Sequence, residues 1–128
     1  MRIVHFEVES SLCERVALHA LATGEPIWLH RATDGLALMR EVAAFKPDVI
    51  VANYWLSAAE GWSVVERMRR IAPGVPVILA SEHLPDDVIA DSLDAGAADC
   101  LPLERLGRLG MSLLRSVRVP SPALALAA

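Results

Sequence analysis

Short apolar runs rich in Val and Ile alternate along this chain with longer stretches in which apolar residues recur every three or four positions. The first kind of pattern predicts buried strands and the second predicts amphipathic helices. Arg2 to Phe6 (RIVHF) is the first predicted strand. Ser10 and Ser11 offer helix N-caps, and Leu12, Val16, Leu18, Ala20 and Leu21 fall near helical spacing before Gly24 stops the run. Pro26 to His30 (PIWLH) predicts a second strand. Asp34 can cap a second helix with an apolar face of Leu36, Leu38, Met39, Val42 and Phe45, ended by Pro47.

Val49 to Ala52 is apolar throughout, which predicts a strand buried on both faces, and Asn53 stands where it ends. Trp62 to Ile71 predicts the third helix, Val75 to Ala80 the fourth strand ending at Ser81, and Pro85 to Ala95 the fourth helix with Gly96 as its cap. Asp99 to Pro102 is a minimal fifth strand and Leu103 to Val117 the fifth helix. Five strands alternating with five helices through short connections predict a doubly wound α/β domain, three-layer αβα, with a parallel sheet. The pattern predicts one domain over 1–118 and a frayed tail over 119–128, with no output domain after it.

Composition narrows the function classes. At 128 residues, 54% hydrophobic and 22% charged, the chain is globular rather than disordered. Twelve basic against sixteen acidic residues leave a net charge of −4, which gives no pull toward nucleic acid. Arginines do cluster, at 67, 69 and 70 and again at 105, 108, 115 and 118, where they read as helix C-terminal and solvated cations. Cys13 and Cys100 lie far apart without metal spacing, no run is long and apolar enough to span a membrane, and the N-terminus lacks a signal core. A cytoplasmic protein is the expectation.

Candidate chemistry gathers at the strand ends, the functional edge of a parallel sheet. Ser81 has no G-x-S-x-G elbow and no histidine–acid pair to activate it, and no glycine-rich phosphate loop follows the first strand, so an enzyme is not expected.

The residues PDVIVANYWLSAAEGW at 47–62, PVILAS at 76–81, LDAGAADCL at 93–101 and ATDGLAL at 32–38 resemble the CheY-like receiver domain of two-component response regulators. The resemblance runs across nearly all of 1–118. It implies a flavodoxin-like five-stranded sheet of order 2-1-3-4-5. It also implies an aspartate that accepts a phosphoryl group after the third strand, an acidic pair that helps hold Mg²⁺ after the first, a hydroxyl after the fourth and a lysine after the fifth. Residue by residue, the acceptor position falls on Asn53, the acidic pair on Glu7 and Val8, the hydroxyl on Ser81 and the lysine on Leu103. The fifth strand's switch aromatic falls on Cys100.

An amide cannot form an acyl phosphate, Val8 cannot ligate a hard cation, and Leu103 cannot pair with phosphoryl oxygens. Glu9 is acidic but one residue on, and strand alternation would aim it differently. Three matched departures imply a degenerate pseudo-receiver, without metal or cofactor, that stands alone and signals through protein contacts in bacterial two-component pathways. Its expected partner is a signalling protein, such as a histidine kinase or another regulator. The fourth helix, fifth strand and fifth helix would form the contact or homodimer face.

Tyr54, Trp55, Cys100, Arg105 and Arg108 are the candidate interaction residues, although Trp55 also reads as a loop cover, Trp62 as core and Cys100 as a small buried hydrophobe. Two rivals remain: a small-molecule sensor using a more apolar, vacated pocket near Trp55, and an ordinary phosphorelay receiver with an unusual site.

Overall fold

The structure, a computed structural model, describes residues 1–56 and 63–118. The expected helix start at Trp62, that residue's core packing and the tail over 119–128 lie outside the described residues. In chain order the elements are β1 (Arg2–Phe6), α1 (Ser10–Leu21), β2 (Trp28–Ala32), α2 (Gly35–Phe45), β3 (Val49–Ala52), α3 (Val64–Ile71), β4 (Val77–Ser81), α4 (Asp86–Asp94), β5 (Asp99–Pro102) and α5 (Leu109–Arg118). Single 3₁₀ segments at Tyr54–Leu56 and Leu103–Arg108 follow β3 and β5.

All pairings are parallel and the sheet order is β2-β1-β3-β4-β5, as the resemblance implies. Alternation along the strands sends successive side chains into two cores. Ile3, Val49, Val51, Ile78, Ala80 and Leu101 pack with α1 and α5. Val4, Phe6, Ile50, Ala52, Val77 and Leu79 pack on the opposite side with residues of α2 and α3. Every residue of β3 is therefore fully buried, which explains why its sequence is apolar without interruption.

Local chemistry explains where the boundaries depart from the sequence pattern. β2 begins at Trp28 rather than Pro26, because Pro26 has no N–H to give the ladder. Its carbonyl accepts instead from the Met1 ammonium, and the first N–H offered to Met1 is that of Trp28. Ser10 and Ser11 lie inside α1; the cap position is Glu9, which makes no side-chain cap bond. Asp34 caps α2 as expected, accepting from Ala37 N–H at 2.8 Å. The fifth helix opens as a 3₁₀ segment because Leu103, Leu106 and Leu109 meet the core at intervals of three, a spacing suited to that tighter helix.

Gly96 shows a glycine that its backbone conformation requires. Its φ is +108°, and a Cβ there would stand 2.7 Å from the Arg69 guanidinium. That guanidinium donates to the Ala95 carbonyl at 2.8 Å and so closes the C-terminus of α4. Gly96→Ala is expected to cost about 2 kcal/mol. The measurement is a urea midpoint, which should fall with an unchanged slope.

Candidate functional site

In a parallel sheet all strands end on one edge, which here collects Glu7 after β1, Asn53 after β3, Ser81 at the end of β4 and Leu103 after β5. Glu7 and Ser81 are fully buried. Asn53 Nδ2 donates to both carboxylate oxygens of Glu7, at 3.0 and 2.9 Å. Glu7 Oε2 also accepts from the Val8 N–H at 2.9 Å. The other face of the carboxamide is equally committed: Asn53 Oδ1 accepts from Trp55 N–H at 2.9 Å and from Ser81 Oγ at 3.3 Å. Ser81 Oγ in turn accepts from Tyr54 N–H at 2.8 Å. Rotating the amide by half a turn would oppose two acceptors and two donors, so the network itself fixes its orientation.

One carboxamide thus joins the ends of β1, β3 and β4. An aspartate cannot make this set of bonds, because it has no donor for Glu7. The amide at position 53 is matched to a buried carboxylate that would otherwise keep a single hydrogen bond.

Val8 does not enter the cleft. Its side chain is 53% exposed, while its carbonyl accepts from the Arg31 guanidinium. Arg31 also donates to the Glu7 carbonyl at 3.0 Å and to Ser10 Oγ at 3.3 Å. This arginine on β2 clamps the turn between β1 and α1 by three acceptors. Its role could not be seen from the sequence, since it depends on the pairing of β2 with β1.

A cleft of about 380 Å³ lies above this network, with Glu7, Glu9, Glu82, Arg15, Trp55 and Leu103 among its walls. Two expectations are corrected. Glu9 does line the cleft, because β1 has ended at Phe6 and strand alternation no longer governs residue 9. The cleft is not an apolar pocket: three carboxylates and an arginine face it beside Leu103, which gives it an acidic wall.

The Mg²⁺ that the resemblance implies does not fit this donor set. Both Glu7 oxygens and Asn53 Oδ1 are occupied by N–H and O–H donors, and the neighbouring position is aliphatic. Among the described residues no three His, Cys, Asp or Glu side chains converge in a way that could hold a metal.

The candidate contact residues separate into two groups. Trp55 is 43% exposed, and its indole N–H donates to the His83 carbonyl at 2.6 Å, which ties the 3₁₀ turn after β3 to the loop after β4. Tyr54 packs edge-on against it, with ring centroids 4.8 Å apart. Cys100, Arg105 and Arg108 lie away from this cleft, along a groove on the α4–β5–α5 face. The Cys100 thiol is buried, and burial beside Asp99 pushes its pKa up to about 11, so it is a packing group rather than a thiolate nucleophile. His5 has no ligand spacing in the sequence, and nothing local there marks its setting. It is fully buried on β1, and neither ring nitrogen has a hydrogen-bond partner among the described residues.

Comparisons with known proteins place this geometry. The response regulator receiver domain model matches residues 10–103. A protein-glutamate methylesterase/protein-glutamine glutaminase of Pseudomonas syringae pv. syringae is 38% identical over 72 residues, 56% of this chain and 19% of that protein. The chain spans about a fifth of the length of the curated relatives it matches. A response regulator from Thermotoga maritima superposes with a TM-score of 0.78 at 18% identity, covering 92% of this chain and 98% of that one. The response regulator domain of Thermotoga maritima CheB gives a TM-score of 0.69 at 19% identity, covering 92% and 93%. No helix among the described residues is long and apolar enough to cross a membrane. The chain belongs to the response regulator receiver domain family.

Proposed function

We propose that this receiver domain, spanning 1–118, is a cytoplasmic protein-contact module of bacterial two-component-type signalling whose conformation is set without aspartyl phosphorylation. The observation that carries the reading is the double hydrogen bond from the Asn53 carboxamide to Glu7. Phosphoryl acceptance needs a carboxylate nucleophile, a hard-oxygen site for a divalent cation and a cation on the phosphoryl oxygens. Asn53, Val8 and Leu103 stand at those three positions. The surviving Glu7 and Ser81 are retained in a different use, as partners of the amide.

A site satisfied by its own side chains holds the β3 and β4 ends in one arrangement, and this favours a constitutive surface over a switched one. Output would run through contacts with another signalling protein, a histidine kinase or a second regulator, using no cofactor. Incubation of the full chain with acetyl phosphate and Mg²⁺, followed by intact mass measurement, tests the reading. An unchanged mass is expected. A hydroxylamine-labile gain of one phosphoryl group would contradict it.

A further inference from the structure

The sheet has two border strands, β2 and β5. β5 is guarded: it is four residues long, three of them are buried, and it closes on Pro102, which has no N–H to offer. β2 lacks these guards. Four of its five residues are exposed or half-buried, and Trp28 leaves 57% of its surface open.

The backbone of β2 is free on its outer side. The Trp28 N–H donates to the Met1 carbonyl at 2.9 Å, and the Ala32 carbonyl accepts from the Glu7 N–H at 3.0 Å. Alternation therefore turns residues 28, 30 and 32 toward β1 and sends the N–H and C=O of Leu29 and Arg31 outward. Those groups have no backbone partner among the described residues. A charged side chain is a common defence of such an edge, but the Arg31 guanidinium is folded back onto the Glu7 and Val8 carbonyls and Ser10 Oγ. His30 is held against α2: its ring stacks on Phe45 with centroids 3.7 Å apart, and Nδ1 lies 2.7 Å from Glu41 Oε2. The edge that remains is apolar, with Trp28 beside Phe45 on the α2 side and Leu29 packed on the α1 side.

We infer that β2 pairs edge to edge with β2 of a second copy of this chain, joining two five-stranded sheets into one. Two-fold symmetry makes the pairing antiparallel. Centred on Leu29, it exchanges backbone bonds between the two Leu29 residues and between each Arg31 and the partner's Ile27. The edge is self-complementary in this register. Leu29 meets Leu29, Trp28 stands opposite the partner's His30 on both sides of the axis, and the two arginines stay apart. Centring on His30 would instead oppose the two imidazoles.

The inference goes beyond the reading of the Asn53 site and does not depend on it. It leaves α4, β5 and α5 of each copy at the two far ends of the joined sheet, so the pair would offer two contact surfaces at once.

Analytical ultracentrifugation of the full chain across a concentration series, with amide hydrogen exchange, tests this. A dimer is expected, with the Leu29 and Arg31 amides protected and that protection lost on dilution. Trp28→Lys and Leu29→Lys should each weaken dimerisation at least about tenfold, because the two-fold axis places every change in the interface twice. A urea midpoint checks that both variants fold. Trp28→Lys alters an exposed side chain, so it keeps the test valid if Leu29→Lys does not fold. Met111→Glu, on the exposed side of α5, should leave the dimer intact.

A monomer at every concentration up to about 200 μM would overturn the inference. So would a dimer that Met111→Glu dissociates and Trp28→Lys does not, because the contact would then lie on α5. A dimer in which the Leu29 and Arg31 amides exchange freely would overturn it as well.

Discussion

Asn53→Asp is expected to destabilise the domain by about 3 kcal/mol at pH 7. The substitution removes the only side-chain donor to Glu7 among the described residues and sets a second carboxylate about 3 Å from its oxygens, where Nδ2 now lies. Two such groups cannot both ionise in a buried site, so one keeps its proton well above its ordinary pKa. An acid whose pKa is raised in the folded state binds more protons there than in the unfolded chain. Stability should therefore fall as pH rises from the ordinary carboxylate range through the raised pKa, and return on acidification. Asn53→Ala also leaves Glu7 short of donors but introduces no second charge, so its return on acidification should be the smaller of the two. Urea denaturation of the three proteins at several pH values makes the comparison. Equal stability of the native protein and Asn53→Asp across that range would mean that the amide is not matched to Glu7.

A second large effect is expected from His5. Burial, aided by the Arg31 charge, lowers its pKa from 6.5 to about 4. Between those two values the unfolded chain takes a proton that the folded chain refuses. Stability is thus lost as pH falls from 6.5 to 4, by about 3 kcal/mol in all. His5→Leu keeps a similar volume, removes two unpartnered nitrogens and should be more stable at neutral pH by about 1 kcal/mol. Its acid-side loss should be smaller than that of the native protein by the full His5 contribution. A parallel fall of both proteins between pH 6.5 and 4 would assign the acid sensitivity to other groups.

The fold was legible because each element carries its own periodicity. The fully apolar β3 signals burial on both faces, and the Pro, Gly and Asp punctuation places the connections. β2 was the poorest placed of the strands because it is an edge: only Ala32 of its five residues is buried, which leaves little alternation to read. At the site, the identity of the strand-end residues was legible, and with it the expectation that phosphoryl transfer is not their chemistry. What their side chains do instead was not. That Asn53 and Glu7 form a pair, that Arg31 reaches from β2 to clamp the next turn, and that Glu9 faces the cleft are consequences of strand order and of where β1 stops. Residues 46 or 24 positions apart give no local sign of such contacts.

Retention of Glu7 and Ser81 has two different meanings in the two readings of this site. In a working phosphorelay receiver they serve the metal and the phosphoryl group; here they satisfy an amide. The Leu103 side chain, packed against the α1 and α5 core, brings no charge to the cleft, and Arg15 is the one cation in its described lining. Glu9 and Glu82 are its acidic walls.

The side-chain amide of Asn53 reports on this directly. In nitrogen-edited NMR spectra of the full chain, its two protons should be resolved and slow to exchange with solvent, as expected for donors held on a buried carboxylate. Addition of Mg²⁺ with acetyl phosphate should leave both resonances in place. Their displacement or broadening by the cation, with a matching response at Trp55 and Ser81, would mean that Glu7 is released to ligate a metal and that the site still works as a phosphoryl acceptor's frame.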